Sequence, residues 1–478
     1  MNGWELKKQQ LDHLNEEYGD RFEAVKKVYP DFDANAQARL GVLLENINDA
    51  FDARFTNMLN EDAIISAPNV INGLKVQYFD IVTAVFPNLI AEQIFSVQPL
   101  QQKIGEIFFL RFTYGDTKGN VQKGDTIFGP NYIAGYENSN YTRSHITDEA
   151  GTATTAGSVY EETLAEYPIC EGSVSVTIDG SVAYEDDGRG QMINLTTNKP
   201  AGNINYSTGA ITLVGTFTTG KTVSFTYDNT FEKDPTTIPS IELVVDSTFV
   251  QARPRKLRGT YSFDAGYNLK QAQGIDIQDA LLQAAAMTLK NETDGELIRT
   301  AYDQAGSTAT WNDNYQGTQG ISRKEYYEEF VEHIFQQCSR IRQLTKRVTG
   351  NFMVCGKTAG DILQFIGAPR FTGTGYTGEV GPYYAGMLDN RIKVYIDPFL
   401  GEDEYLIGYK GNNLIDAGLI YAPYLIFFAT ETVMLDDFLG RRGFSTSYGK
   451  KMINKNMYVK GTITHEQSYM RVETRDFT

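Results

Sequence analysis

From Tyr114 to Thr155 the chain is polar and glycine-rich and follows neither the 3.6-residue period of an amphipathic helix nor the two-residue period of a half-buried strand. A structureless segment of that length does not belong inside a compact domain, because little would offset the entropy of ordering it. It reads instead as an arm that gains its order on another copy of the chain. The remaining sequence divides around it. Roughly the first 60 residues are helical in pattern, with Leu6 to Tyr29 dense in Lys and Glu and a second helix from Ala34 to about Leu59. Neither shows a broad apolar stripe, which predicts an arm lying on a neighbouring surface over a self-contained domain.

Between Glu171 and Phe231 the pattern turns all-β. Val174, Val176 and Ile178 alternate with polar residues before Asp179-Gly180. Ile204 and Tyr206 precede the turn Ser207-Thr208-Gly209, Ile211 and Leu213 follow it, and Val223, Phe225 and Tyr227 close the block. Period-two runs separated by turn residues predict a small antiparallel sandwich or barrel, inserted because a helical and mixed pattern resumes after it. Strand text flanks the block at Ile107 to Phe112, Ile241 to Val250 and Lys256 to Phe263. Asp276 then stands as the N-cap of a long helix reaching Tyr302, with Ile277, Leu281, Ala285, Thr288 and Leu289 on one face. That helix is roughly 40 Å long, and Gly295 weakens its far end by about 1 kcal/mol relative to Ala. Ser322 and Glu325 form a capping box before Tyr327, Phe330, Ile334, Cys338, Ile341 and Thr345 recur at helical spacing. Strands at Asn351 to Cys355, Ile392 to Ile396 and Tyr405 to Tyr409, with a helix at Ala359 to Ile366, make the rest a mixed α/β unit. The alternating tail Met457 to Val472 is expected to rejoin an earlier sheet.

Charge excludes one function class. With 43 Lys and Arg against 60 Asp and Glu, the net charge of -17 leaves too few cations for free-standing nucleic-acid binding, so any such contact is local or weak. The start, MNGWELKKQQ, is not expected to act as a secretory signal, and the longest apolar stretch, Leu419 to Ala429, is too short to span a bilayer. Cys170, Cys338 and Cys355 lack metal-type spacing and read as free thiols of a protein made in a reducing cell. His13, His145, His333 and His465 are scattered.

Several motifs invite chemistry. Gly356-Lys357-Thr358 has the ending of a phosphate loop, but Asn351 stands where the earlier glycine is needed, and Phe352, Met353 and Val354 are strand formers. A strand end with Thr358 capping the next helix is favoured over a nucleotide site on Lys357. Gly373, Gly375 and Gly378 satisfy G-x-G-x-x-G, yet Ala368-Pro369-Arg370 before and Gly381-Pro382-Tyr383 after deny it a flanking strand and helix, leaving a glycine loop. Glu185-Asp186-Asp187-Gly188 could chelate a hard cation but reads first as an exposed acidic turn. His333 falls off its helix's apolar stripe and is expected to be solvated. Arg253, Arg255, Lys256 and Arg258 are the densest basic cluster, with Arg253 and Arg255 on one strand face and Lys256 and Arg258 on the other. They are expected to meet acidic neighbours before phosphate. No catalytic, cofactor-binding or metal-ligating residue is assigned.

Four blocks in order carry a resemblance: VFPNLIAEQIFSVQPLQQKIGEIFFLRFTYG, ending at Gly115; ARPRKLRGTYSFDAGYNLKQAQGID, Ala252 to Asp276; NRIKVYIDPF with EYLIGYKG, Asn390 to Gly411; and DAGLIYAPYLIF, Asp416 to Phe427. Together they resemble the major capsid proteins of T-even-like contractile-tailed bacteriophages, and GFSTSYGKKMINKN matches the closing motif more loosely. The resemblance covers roughly Asp80 to Phe112 and Ile241 to Asn456, not the first 60 residues or the β block. It implies an α+β, Hong Kong 97-like capsid fold. Its parts would be an N-terminal arm (1–79), an arm-to-core segment and extended loop lying across an adjacent subunit (80–170), and the inserted β domain (171–232). A peripheral domain with a long spine helix (233–319), an axial domain (320–430) and a C-terminal return to the peripheral domain (431–478) would follow, with the loop near Gly375 close to the capsomer axis. The function it implies is a non-enzymatic head-shell protein, needing no cofactor, that assembles with itself into hexamers and pentamers around non-specifically held double-stranded DNA. Separate vertex, portal, scaffold and decoration proteins are the other partners it suggests, with synthesis in a bacterial cytoplasm and no membrane.

Members are often cut after Leu-x-Glu or Ile-x-Glu. Leu14-Asn15-Glu16 and Leu43-Leu44-Glu45 fit that spacing, and the expectation is an arm left uncut in the mature shell, or a chain in its immature form. A cross-link from Lys118 or Lys123 to a distant Asn is open to this fold, without support from the sequence. The rivals are an encapsulin-like nanocompartment shell and an NTPase using Lys357, while the β block would brace the capsomer or bind glycans or a decoration protein.

Overall fold

The structure, a computed structural model, describes residues 3–29, 34–59, 82, 89–118, 121–128, 141–231, 238–274, 276–313, 315, 320, 322–375, 381–411, 414–430, 432–434 and 439–465. Helices α1 (Gly3–Val28) and α2 (Ala34–Leu59) come first, then the short α3 (Ile90–Ile94) and strands β1 (Ser96–Val97) and β2 (Ile104–Tyr114). Next are β3 (Thr126–Phe128), β4 (His145–Ala150), β5 (Gly157–Thr163), β6 (Ser175–Ile178), β7 (Ser181–Asp186) and β8 (Gln191–Asn194). The run continues with β9 (Lys199–Asn205), β10 (Ala210–Phe217), β11 (Val223–Asp228), β12 (Ile241–Gln251) and β13 (Arg253–Ser262). Helices α4 (Phe263–Gln273) and α5 (Ile277–Asp303) lead to β14 (Ser307–Asp313), α6 (Arg323–Thr345), β15 (Phe352–Cys355) and α7 (Lys357–Ile366). The remaining strands are β16 (Phe371–Gly373), β17 (Tyr383–Leu388), β18 (Ile392–Ile396), β19 (Glu404–Gly408), β20 (Leu419–Ala429), β21 (Val433–Met434), β22 (Leu439–Met452) and β23 (Tyr458–His465). The described residues fall into two compact units, one within Met1–Arg111, Phe128–Tyr132 and Val244–Thr478, the other within Phe112–Ile127 and Ile133–Leu243.

The first unit holds two sheets. One runs β1-β20-β22-β13 with β21 on β22; the other runs β14-β23-β19-β15-β18-β17-β16. Helix α5 forms where Asp276, as expected, accepts the Gln278 amide, and it buries Leu282, Ala285, Leu289, Leu297 and Ile298 in one core with Tyr421, Ile426, Phe427 and Phe444. Its buried face is turned from the expected one: Thr288 is exposed, while Leu282, Ala286 and Ala301 are buried. Helix α6 opens on the capping box with both halves formed. It buries Tyr327, Phe330, Ile334, Cys338 and Ile341 against Met353, Leu363, Val394 and Ile407 in a second core.

Two expectations are corrected here. The N-terminal helices do carry an apolar stripe. Leu14, Tyr18, Phe22 and Val25, at helical spacing among Lys and Glu, join Leu40, Leu43, Leu44 and Ile47 in the α5 core of their own chain. The Asn46 side-chain amide donates to the carbonyls of Leu100 (2.8 Å) and Tyr424 (3.0 Å), pinning α2 to β20. The tail rejoins an earlier sheet as expected: β23 pairs in parallel with β14 and antiparallel with β19. Conversely β20, expected with the axial segment, pairs with β22. Residues 85–88, which open the first family-like block, lie outside the described residues.

The second unit is an antiparallel sheet in the order β4-β11-β6-β7-β8-β9-β10-β5. Ile146, Tyr160, Val176, Tyr184, Leu213, Phe225 and Tyr227 form its core. It begins at β4, well before Glu171. Edge strands β4 and β5 send few side chains inward, chiefly Ile146 and Tyr160, so their text, HITDEA and GSVYEET, hides the period. The chain passes between the units along β2 and β12, which are hydrogen-bonded to each other.

Candidate functional site

The phosphate-loop reading meets engaged amides. Gly356 N–H donates to Glu404 O at 2.9 Å and Thr358 N–H to Glu402 O at 3.0 Å, so neither can wrap a phosphate. A Cβ at Gly356 would lie 2.1 Å from Gly401 O, which is why glycine stands there. Thr358 does not cap α7, as the sequence suggested. The N-cap is Gly356, without a side-chain bond, and the Thr358 hydroxyl donates to Asp403 Oδ1 at 2.7 Å. Gly373 ends β16, Gly375 adopts φ +69°, and Gly378 lies outside the described residues.

The acidic turn satisfies itself. Asp186 accepts from the Gly172 and Gly188 amides and the Tyr206 hydroxyl. Asp187 accepts from the Arg189 and Gln191 amides, which hold its carboxyl below the usual range. Among the described residues, no group of three or more His, Cys, Asp or Glu is placed to hold a metal. In the basic cluster Arg255 meets Glu292 at 3.3 Å and also Glu296, which Lys450 Nζ reaches at 2.5 Å and Tyr448 Oη touches as well. Lys256 and Arg258, on the other strand face, are exposed.

His333 is not simply solvated. It is half-buried with Nε2 2.9 Å from Tyr405 Oη, and burial holds its imidazole below the ordinary range. Burial pushes the thiols of Cys338 and Cys355 up to about 12, while Cys170 is exposed. Lys118 faces Glu166 at 3.1 Å under the Phe231 ring, and Lys123 is exposed with Glu242 at 4.0 Å.

What the described surface offers is an apolar face. In the first unit, Val245 (62% exposed) and Phe249 (72%) share one side of β12, and on β2 Ile104 (60%) and Phe108 (47%) are open in the same alternation; in the second unit Ile241 (62%) and Leu243 (56%) of β12 are open. The other side is covered. There Ile107, Phe109 and Val250 pack with Leu100, Ala417 and Ile420, and Arg111 pairs with Asp246 at 2.5 Å. Open apolar side chains grouped on one face mark a surface awaiting a partner. The sequence reading located the strand at Ile241 to Val250 but did not weigh its second face, although Ile241, Leu243 and Val245 sit two apart and Phe249 falls on the same alternation.

The model of the family "Major capsid protein Gp23" matches residues 72–475. The major capsid protein of Enterobacteria phage T4 is 26% identical over 396 residues, covering 77% of this chain and 73% of that protein. That of Enterobacteria phage T6 is also 26% identical, covering 77% and 76%. Among solved structures, one from Mycobacterium phage Bobi aligns over 79% of this chain and 90% of its own, at 7% identity and a TM-score of 0.37.

Proposed function

Since this chain belongs to the Gp23 family of major capsid proteins, which build the head shell of tailed bacteriophages, we propose that it closes with copies of itself into an icosahedral shell around double-stranded DNA and catalyses no reaction. The observation that carries this reading is the open apolar row on β12 and β2. Among the described residues nothing covers it, and a neighbouring copy would. The engaged amides at Gly356 and Thr358 speak against the NTPase alternative.

On this reading the fold is Hong Kong 97-like. Helix α5 with the sheet of β20, β22 and β13 forms the peripheral domain around a spine. The sheet of β15, β18 and β19 with α6 forms the axial domain at a hexamer or pentamer axis, with the loop at Gly375 near it. The segment between β2 and β12 is the extended loop, and the second unit braces the capsomer from within that loop. The net charge of -17 keeps the wall from gripping packaged DNA, while salt confines repulsion between subunits to about 10 Å at about 0.1 M. Vertex, portal, scaffold and decoration proteins would complete the head, made in a bacterial cytoplasm.

Sedimentation and electron microscopy of the purified protein test the proposal. Closed shells are expected, and soluble monomers under every assembly condition would end it.

A further inference from the structure

Helix α5 carries a carboxylate that water does not reach. Asp294 is 0% exposed; its Oδ1 accepts the N–H of Ala91 at 3.1 Å and its Oδ2 that of Ile90 at 3.3 Å. Those amides open α3, whose own N-cap residue, Leu89, has no side chain able to accept them. Asp294 therefore supplies from α5 the cap that the local sequence lacks. The capped segment buries Ile90, Ala91 and Ile94 and is tied onward. Glu92 pairs with Arg39 of α2, and Lys410 Nζ donates to the Glu92 carbonyl.

We propose that Asp294 is a proton-operated latch that seats Ile90–Ile94, and through Glu92 the N-terminal helix pair, on α5. The groups that bear on it oppose one another. Burial is the largest influence and raises its carboxyl to about 7, Asp397 beyond β18 adds to the rise, and the two amides and Lys290 on α5 resist it. Tyr421 of β20 also senses the Asp294 charge, with Tyr448 and Glu92 bearing on Tyr421 in turn, and burial holds the Tyr421 hydroxyl well above its ordinary range. The sign follows from the raised value. A seated carboxyl keeps its proton where an unseated one has lost it, so the seat is firmest in acid and weakens as pH climbs to about 7. Above that both forms are ionised and the weakening is complete. The latch belongs to a single chain and stands apart from the shell reading.

Amide hydrogen exchange of the full-length chain, corrected for intrinsic rates, tests it. Protection at Ile90–Ile94 should fall by up to about tenfold per pH unit between about pH 5 and about pH 7 and then level off. In Asp294→Asn it should stay flat. A flat wild-type profile, or an unchanged slope in Asp294→Asn, overturns the proposal. Should Asp294→Asn fail to fold, Lys290→Gln carries the test, because Lys290 is only partly buried. Removing its charge should move the levelling point to higher pH, and an unmoved point overturns the latch.

Discussion

Phe249 and Val250 are neighbours that point opposite ways, the first 72% exposed and the second 6%, and that contrast separates assembly from folding. In an isolated chain Phe249→Ser removes a ring that touches little, so the unfolding free energy should move by no more than about 0.5 kcal/mol. In the shell a neighbouring copy would cover the ring. Of roughly 200 Å² for a phenylalanine, 72% is open, or about 140 Å², and at about 25 cal/mol per Å² its cover is worth about 3.5 kcal/mol per contact. Allowing for partial cover, a loss of about 2–3 kcal/mol raises the threshold concentration for assembly about 30- to 150-fold. Light scattering against concentration, read beside the unfolding midpoint, gives both numbers. Val250→Ser should do the reverse, destabilising the chain itself by about 2–4 kcal/mol through a cavity and a buried hydroxyl. If Phe249→Ser assembles at the wild-type concentration, the open face of the ribbon is not an interface and the proposed carrying observation falls.

Asn46→Ala leaves the carbonyls of Leu100 and Tyr424 without their donor and should loosen α2 by about 2 kcal/mol, seen as faster proteolysis within α1 and α2 while the α6 core stays protected. Gly356→Ala forces a Cβ to 2.1 Å from Gly401 O and should lower the melting temperature sharply. Lys357→Ala, on an exposed side chain, should change neither melting nor particle yield, and an ATP hydrolysis that this change abolishes with the yield intact would reopen the nucleotide reading. A maleimide at neutral pH should label Cys170 and spare Cys338 and Cys355, whose thiols burial holds up near about 12; labelling of either buried thiol in the folded chain would contradict the packing of the core that α6 and β15 share.

What could be read from sequence was what local pattern encodes. The Asp276 cap, the Ser322–Glu325 box and the α6 stripe from Tyr327 to Thr345 needed only nearest turns, and all stand where they were expected. The N-terminal stripe escaped because Leu14, Tyr18, Phe22 and Val25 are diluted by Lys and Glu, and average polarity outweighed spacing. Edge strands β4 and β5 escaped because an edge buries few residues. Asp294 could not be singled out at all, since the amides it caps lie some 200 residues away and a buried carboxylate looks in text like any exposed one. The ribbon was legible as strand, but whether its second face is covered is a property of the assembled chain, not of the letters.

The place of β23 has a consequence for how the protein is born. It lies between β14 and β19, so both wait with bare edges until residues 458–465 have been translated. Pairing β14 with β23 closes a long loop, a slow step on entropic grounds. A ribosome that stalls upstream releases a polypeptide whose sheet is split in two, with open edges prone to stick. Translation itself thus times when each new copy becomes fit to join the others.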